Sequence, residues 1–349
     1  MKKRVSSLFL ILTLLFSLTA CARPEKNVGS GELILTFLDV GQADCTFITC
    51  GGESMLIDAG NVDDGELVVS YLTGQGVEYI DYVVCTHAHE DHGGGMAAVM
   101  ANFSAGEVLS PVKERDTRFF NNFVKYTEAQ GLEITVPSPG DSFALGGGIV
   151  TVLGPTAQYD ETNNTSIVLR LDYGSTSFLF TGDMERDAEQ DLIDSGAELR
   201  ADVLKVGHHG SSTSTSYVFL REVMPEYAVI SCGKDNSYGH PHEETLSRLR
   251  DEGAELYRTD MQGTITCVSD GEHLTFTTQT YVPETNPTKN DGSGQNSQAA
   301  DYYIGNKNSK VYHVPSCSGL PAEKNRVIFE TLTDAVSSGY SPCSRCLGE

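Results

Sequence analysis

Residues 86–95 read THAHEDHGGG, which places three histidines and an aspartate within six residues and follows them with three glycines. His87, His89 and His92 are too close together to be spread over a core, and Asp91 beside them is a poor choice for a buried strand end. The preceding YVVCT (82–86) is apolar and β-branched, so the cluster sits where a strand finishes. His87 and His89 can turn toward one metal ion while Asp91 and His92 serve a second. Neutral imidazole with carboxylate suits Zn2+, with Mn2+ or iron as alternatives. The glycines let the backbone turn tightly beside the site. A lone HxH carries little information, whereas the full string T-H-x-H-x-D-H-x-G-G after an apolar strand is specific.

The surroundings read as an α/β chain. LILTFLDV (33–40), SMLIDAG (54–60), YIDYVVCTH (79–87), SIVLRLDYG (166–174), SFLFTGD (177–183), ADVLKVGHHG (201–210) and YAVISCG (227–233) are strand-like and end in glycine, aspartate or histidine. GELVVSYLTGQG (65–76), RDAEQDLIDSG (186–196) and HEETLSRLRDEG (242–253) have helical spacing and stop at glycine. Polar residues repeatedly fall just after strand ends, where open α/β sheets hold their ligands.

The start of the chain reads as an export signal. Lys2, Lys3 and Arg4 precede the 16-residue apolar run VSSLFLILTLLFSLTA (5–20). LTAC resembles a bacterial lipobox, which makes Cys21 the lipidated first residue of the mature chain, and residues 21–32 form a short tether. The expectation is a protein held by lipid on the outer face of the bacterial cell membrane. Removing residues 1–20 takes away three basic and no acidic residues, so the formal charge of −24 becomes −27. Such a surface repels phosphate backbones over long range. VPETNPTKNDGSGQNSQAA (282–300) is a flexible linker by composition. The linker, 282–301, separates a body, 33–281, from a tail module, 302–349.

The motifs FLDVGQADCTFI, LIDAG, THAHEDHGGG, NNTSIVLRL, FLFTGD, VLKVGHHGS and NSYGHP, in that order, resemble the metallo-β-lactamase superfamily, and within it the soluble hydrolase domain of ComEC-type DNA-internalisation (competence) proteins. The resemblance runs through roughly 33–277. It implies a four-layer αβ/βα sandwich with one or two ions, Zn2+ or Mn2+, at one edge between the sheets. His87, His89, Asp91 and His92 match metal ligands, and Asp183 of TGD matches the carboxylate that bridges two metals. One of His208 and His209 matches the last ligand, and we favour His208. Asp58 looks like a residue that orients the ligand loop from behind, and Asp39 and Asp44 do similar work or cap turns. Many relatives supply a further histidine between the cluster and the bridging aspartate. This chain has no histidine between His92 and His208; Asn164 stands at about that place and is grouped with Asp39, Asp44 and Asp58 as a supporting residue, which implies a looser site or one filled by Mn2+.

The activity so implied is cleavage of a nucleic-acid backbone, because paired metals activate water and neutralise phosphodiester oxygens. Asp91 is a candidate to take the water proton. His240 is a candidate to protonate the leaving oxygen or hold phosphate, and Lys205 to grip a nonbridging oxygen, against bland readings as a loop residue and a strand-edge charge. Two other classes stay open: a metallo-hydrolase of a lactam, thioester or phosphorylcholine ester, and a non-catalytic metal-binding lipoprotein. With no membrane portion of its own, such a chain is not expected to transport DNA alone, though it could serve a separate DNA-uptake channel.

In the tail, His313, Cys317, Cys343 and Cys346 are spaced H-x3-C, 25 residues, then C-x2-C, a closed set for a structural Zn2+. Disulfide pairing is the usual fate of exported cysteines, but three cysteines cannot pair fully. YIGNKNSKVYHVPSC and GYSPCSRC resemble the metal-binding module of Ada-type proteins, with His313 where a cysteine often stands. Of the other cysteines, Cys45 and Cys50 face opposite ways on one strand and cannot pair; these and Cys85, Cys232 and Cys267 read as small core residues.

Overall fold

The structure, a computed structural model, describes residues 31–279 and, beyond them, 303–313, 317, 320–329, 338 and 340–343. The signal segment with Cys21, the linker and Cys346 lie outside the described residues. The chain forms two compact units, the larger holding the first of these ranges and the smaller the rest. No helix among the described residues is long and apolar enough to cross a membrane.

The first half of the larger unit runs β1 (Leu33–Phe37), β2 (Thr46–Cys50), β3 (Glu53–Ile57), α1 (Gly65–Gly74), β4 (Tyr79–Val84), the single turn α2 (Glu90–Gly93), α3 (Met96–Asn102), β5 (Ser104–Leu109), α4 (Arg118–Ala129) and β6 (Ile134–Thr135). The second half runs β7 (Ser142–Leu145), β8 (Gly148–Gly154), β9 (Val168–Tyr173), β10 (Thr176–Phe180), α5 (Arg186–Asp194), β11 (Val203–Lys205), α6 (Tyr217–Val223), β12 (Tyr227–Ile230), α7 (Glu243–Asp251), β13 (Glu255–Arg258) and α8 (Thr259–Gln262). The chain then returns as β14 (Ile265–Ser269) and β15 (Leu274–Thr278) to the first sheet, whose order is β15-β14-β1-β2-β3-β4-β5-β6; the second sheet is β13-β12-β11-β10-β9-β8-β7.

Three apolar layers hold this arrangement together, and the period-two alternation of the strands assigns each residue to its layer. Leu33, Leu35 and Phe37 of β1, with Met55 and Ile57 of β3, face Leu169 and Leu171 of β9 and Phe178 and Phe180 of β10 between the sheets. The intervening residues point outward. Phe47 and Leu56 meet Val68 and Leu72 of α1 and Phe120 and Phe123 of α4, while Leu179 and Leu204 meet Leu192, Phe219 and Leu249 on α5–α7. The order is therefore helix, sheet, sheet, helix. Cys45 and Cys50 fall in different layers, on opposite sides of the first sheet, and the described cysteines form no disulfide.

All the strands expected from apolar runs are present, as are the three expected helices. Helices α3, α4 and α6 and the single turns α2 and α8 are additions. Phe119, Phe120, Phe123 and Thr127 make one buried face of α4, and burying each phenylalanine contributes on the order of 1.5–3 kcal/mol.

In the smaller unit, β16 (Tyr303–Asn306), β17 (Val311–His313), β18 (Arg326–Phe329) and β19 (Ser341–Pro342) form a sheet of order β18-β16-β17-β19 over a small aromatic cluster of Tyr303, Tyr312, Phe329 and Tyr340.

The glycine run does different work from the tight turn expected of it. Gly94 and Gly95 have ordinary right-handed helical backbone (φ −60° and −77°). They are needed for close approach: a Cβ at Gly95 would collide with the Ala59 carbonyl oxygen, and one at Gly94 with the Val62 backbone nitrogen. The histidine loop is thus pressed against residues 59–62. Gly95→Ala should lower unfolding stability by about 1–3 kcal/mol through overpacking at this contact. Denaturant unfolding of the two proteins under matched conditions checks it, and an unchanged midpoint would refute the close-approach account.

Candidate metal centre

The loops that carry the polar motifs leave the C-terminal ends of β3, β4, β10, β11 and β12, which run parallel within their sheets. Those ends meet at one edge of the sandwich, and Ile167 N donates to Thr86 O (2.8 Å) to tie the sheets together there. Backbone bonds stitch the ligand loop to its neighbours: Ala59 N to His92 O (2.8 Å), Gly95 N to Gly60 O (3.1 Å) and Asp44 N to Asp91 O (3.0 Å).

Two donors each about 2.0–2.1 Å from a tetrahedral ion lie about 3.3 Å apart. His92 Nε2 is 3.2 Å from Asp183 Oδ1, and His209 Nε2 is 3.2 Å from Asp91 Oδ2. Ligand atoms of Asp91, His92, Asp183 and His209 all lie within 4.8 Å of one another. His92 Nε2 and Asp183 Oδ1 are buried and have no hydrogen-bond partner, which is costly in a protein interior unless a cation faces them. These residues fit a divalent metal. A second group of donors adjoins the first: His87 Nε2 is 3.1 Å from His89 Nδ1, and both His87 Nε2 and His208 Nε2 lie 3.8 Å from Asp183 Oδ2. Asp183 stands between the groups, with Oδ1 toward His92 and Oδ2 within 3.8 Å of His87, His208 and His209.

His209, rather than the favoured His208, completes the four-donor set. Both residues have left-handed backbone (φ 53° and 51°), which turns their rings apart. His209 is buried and braced from behind by Ser231 O (3.1 Å) and Asp44 Oδ1 (3.5 Å). His208 is 21% exposed, with Nδ1 beside Thr213 Oγ1 (3.2 Å) and Glu185 Oε1 (3.2 Å).

The supporting residues divide differently from expectation. Asp58, buried and at φ 58°, accepts from Thr86 N and Thr86 Oγ1 (2.7 Å each) and meets His92 Nδ1 at 2.7 Å, so it orients that ring as expected. Asp44 sits behind His209. Asp39 does not join them: it is exposed, and its carboxylate closes a turn by accepting from Gly41 N (3.2 Å). Asn164 is a brace and its amide oxygen is spoken for, since Oδ1 accepts Glu185 N (2.9 Å) and thereby holds the chain just past Asp183. Lys205 cannot grip a phosphate. It is 4% exposed, and its ammonium donates to Asp44 Oδ2 (2.7 Å) and Val206 O (3.2 Å).

His240 is half-buried, its ring 5.6 Å from that of His208 and 6.3 Å from that of His209. Burial and the neighbouring histidines push it down to about 4, so it is neutral at pH 7. Gln42, which sequence reading passed over, decides which nitrogen carries its proton. Gln42 Oε1 accepts Gly233 N (3.0 Å), which leaves Nε2 to donate toward His240 Nδ1 (3.4 Å) and puts the imidazole proton on its Nε2. A glutamine directly after Gly41, at a strand end that otherwise carries only aspartates, was the available signal.

Charge at the centre is balanced by protons until a metal displaces them. Burial opposes charge on His92 and His209, yet Asp183 and Asp58 raise the first well above its ordinary value and Asp183 and Asp44 raise the second to about 10. Burial alone would raise Asp183 and Asp44, but His92 and His209 hold Asp183 well below the usual carboxylate range, and Lys205 and His209 do the same for Asp44. Burial keeps His87 neutral, its value well below the ordinary one.

In the tail, His313 Nδ1 lies 3.4 Å from Cys317 Sγ, and with Cys343 these donors fall within 4.8 Å of one another. Burial lowers His313, which favours the neutral, ligating form.

Metal uptake must expel the protons held on His92 and His209. Because those pKa values are raised, affinity should climb as pH rises toward about 10, and binding near pH 7.5 should release at least about one proton per chain. Titration calorimetry in two buffers of different ionisation enthalpy checks this, and identical heats in both would contradict it.

Residues 38–234 match the family profile of the metallo-beta-lactamase superfamily, and residues 293–349 match that of the metal binding domain of Ada. The chain is 31% identical over 255 residues to ComE operon protein 3 of Bacillus subtilis (68% of this chain, 33% of that protein). It is 33% identical over 249 residues to Competence protein ComA of Neisseria gonorrhoeae (70% of this chain, 33% of that protein). It therefore matches about a third of the length of these curated relatives. Among solved structures it is similar to the metallo-beta-lactamase fold protein YhfI from Bacillus subtilis, with 14% identity, a TM-score of 0.48, and coverage of 68% of this chain and 100% of that one. The profile match spans more than half of the chain, and the chain belongs to the metallo-beta-lactamase superfamily.

Proposed function

We propose that this metallo-hydrolase is a divalent-metal phosphodiesterase that cuts nucleic acid outside the cell, tethered to the membrane by lipid on Cys21. The observation that carries the reading is Asp183, whose Oδ1 faces His92 while Oδ2 faces His87, His208 and His209. A carboxylate shared in this way suits two ions, which when bound would activate water and neutralise phosphodiester oxygens. A relative named as a competence protein supports nucleic acid as the substrate class.

This chain's own residues supply the rest. Asp91, 32% exposed at the mouth of the site, is held below its usual range by His209 although burial opposes this, so it is ionised and able to accept a water proton. The Nε2 proton of neutral His240 is available to the leaving oxygen. With Lys205 paired internally, the cations nearest the scissile phosphate are the bound metals, and the strongly acidic surface gives no broad footprint for a duplex. Weak binding with a shallow salt dependence follows, since few phosphates are paired with lysine or arginine.

The purified chain should cleave DNA or RNA only with added Mn2+, Zn2+ or a similar ion and should stop with chelator. Asp91→Ala and Asp183→Ala should each lose at least about 100-fold in turnover, while His273→Ala, exposed and remote from these loops, should change little. If phosphodiesters survive every metal while a lactam, thioester or phosphorylcholine ester is hydrolysed, the phosphodiesterase reading fails. Separately, mass spectrometry of membrane-derived protein should find an acyl chain on Cys21, and its absence there would remove the tether.

A further inference from the structure

The loop after β12 ends in an aromatic column that the metal centre does not account for. Tyr238 is 68% exposed, the most exposed large hydrophobic side chain among the described residues. One face of its ring lies over His240 (centroids 5.6 Å apart, 25° between planes), and His240 lies in turn over the metal-facing His209 (6.3 Å, 23°). The outer face of Tyr238 meets solvent. The loop is nevertheless pinned: Asn236 Oδ1 accepts from Tyr238 N (3.1 Å) and His240 N (3.0 Å), Asn236 Nδ2 donates to Gly233 O (2.8 Å), and His242 Nε2 lies 3.2 Å from Tyr238 O. A ring this exposed gains little from burial, so its fixed presentation beside the site calls for another explanation. Next to it, the His242 ring meets His240 edge-on at 4.8 Å and lines a cleft of about 780 Å³ shared with Arg186, Arg248, Glu243 and Glu244. Arg248 is buried there and its guanidinium donates to the carbonyls of Ser212, Ser214 and Thr215, so that cleft offers no paired basic path and the exposed ring is the contact left beside the site.

We propose that Tyr238 is a stacking platform for the nucleobase that flanks the scissile phosphate. This rests on the phosphodiesterase reading and sharpens it. A base stacked on a protein ring has left its neighbours, so the preferred substrate is a single strand or a frayed end rather than an intact duplex. Stacking tolerates any base, so no sequence preference arises from it.

The test uses a short single-stranded DNA carrying 2-aminopurine, whose fluorescence reads cleanly because the chain has no tryptophan. Binding to the metal-loaded protein should quench the probe. Tyr238→Ala should weaken binding by about 5- to 150-fold, and Tyr238→Phe should restore it. An abasic site in place of the flanking base should cost the wild type a similar factor and cost Tyr238→Ala almost nothing, since the two losses describe one contact. Tyr238→Ala binding as tightly as wild type, or losses that simply add, would overturn the platform. A wild type that binds and quenches the probe yet cuts no phosphodiester would sink the phosphodiesterase reading while leaving the platform standing. Cleavage without any Tyr238 effect would do the reverse.

Discussion

The structure depends on a concentration of buried negative charge at one edge of the sandwich. Asp44, Asp58 and Asp183 are each buried, Asp91 closes the group at the surface, and Lys205 is the one lysine or arginine among them. Isolated carboxylates cannot be taken out of water at acceptable cost. The fold meets this by surrounding them with imidazoles whose protons, or a metal in their stead, complete the neutralisation. The neighbouring elements serve that requirement: Thr86 saturates Asp58, Ser166 Oγ accepts Asp183 N (3.0 Å), and the Asn164 amide fixes the backbone two residues beyond.

Much of the centre was legible in the sequence because its donors follow apolar strands. In YVVCTHAHEDH and FLFTGD the change from apolar to polar marks both the strand end and the ligand. What could not be read depends on contacts between distant residues. Nothing near Lys205 in sequence announces that Asp44, 161 residues away, will take its ammonium. The choice between His208 and His209 rests on two consecutive left-handed residues, a conformation that non-glycine residues rarely adopt and that no local pattern signals. Asp39 and Asp44 look alike in FLDVGQAD, yet one closes an exposed turn and the other lies beneath His209.

The same limit explains the missed helices. MAAVMAN is short and rich in small residues, and α4 opens with paired phenylalanines that read equally well as strand. Their helical state is decided by packing against Phe47 and Leu56 on the outer face of the first sheet. Asn164 stands where many relatives carry a histidine, and it works behind the site as a supporting residue: a short carboxamide beside a strand end holds the backbone past Asp183.

The donors come from both halves of the chain, at 87–92 and at 183–209, and from strands of opposite sheets. A chain that emerges from its N-terminus therefore presents the histidine cluster roughly ninety residues before the aspartate that completes it. Until β10 and β11 dock, that cluster is only a loose chelator with two or three donors. High-affinity loading is thereby placed after assembly of the sandwich, and a bound ion then clamps one sheet to the other. Its binding free energy adds to the stability of the whole unit rather than to that of one loop.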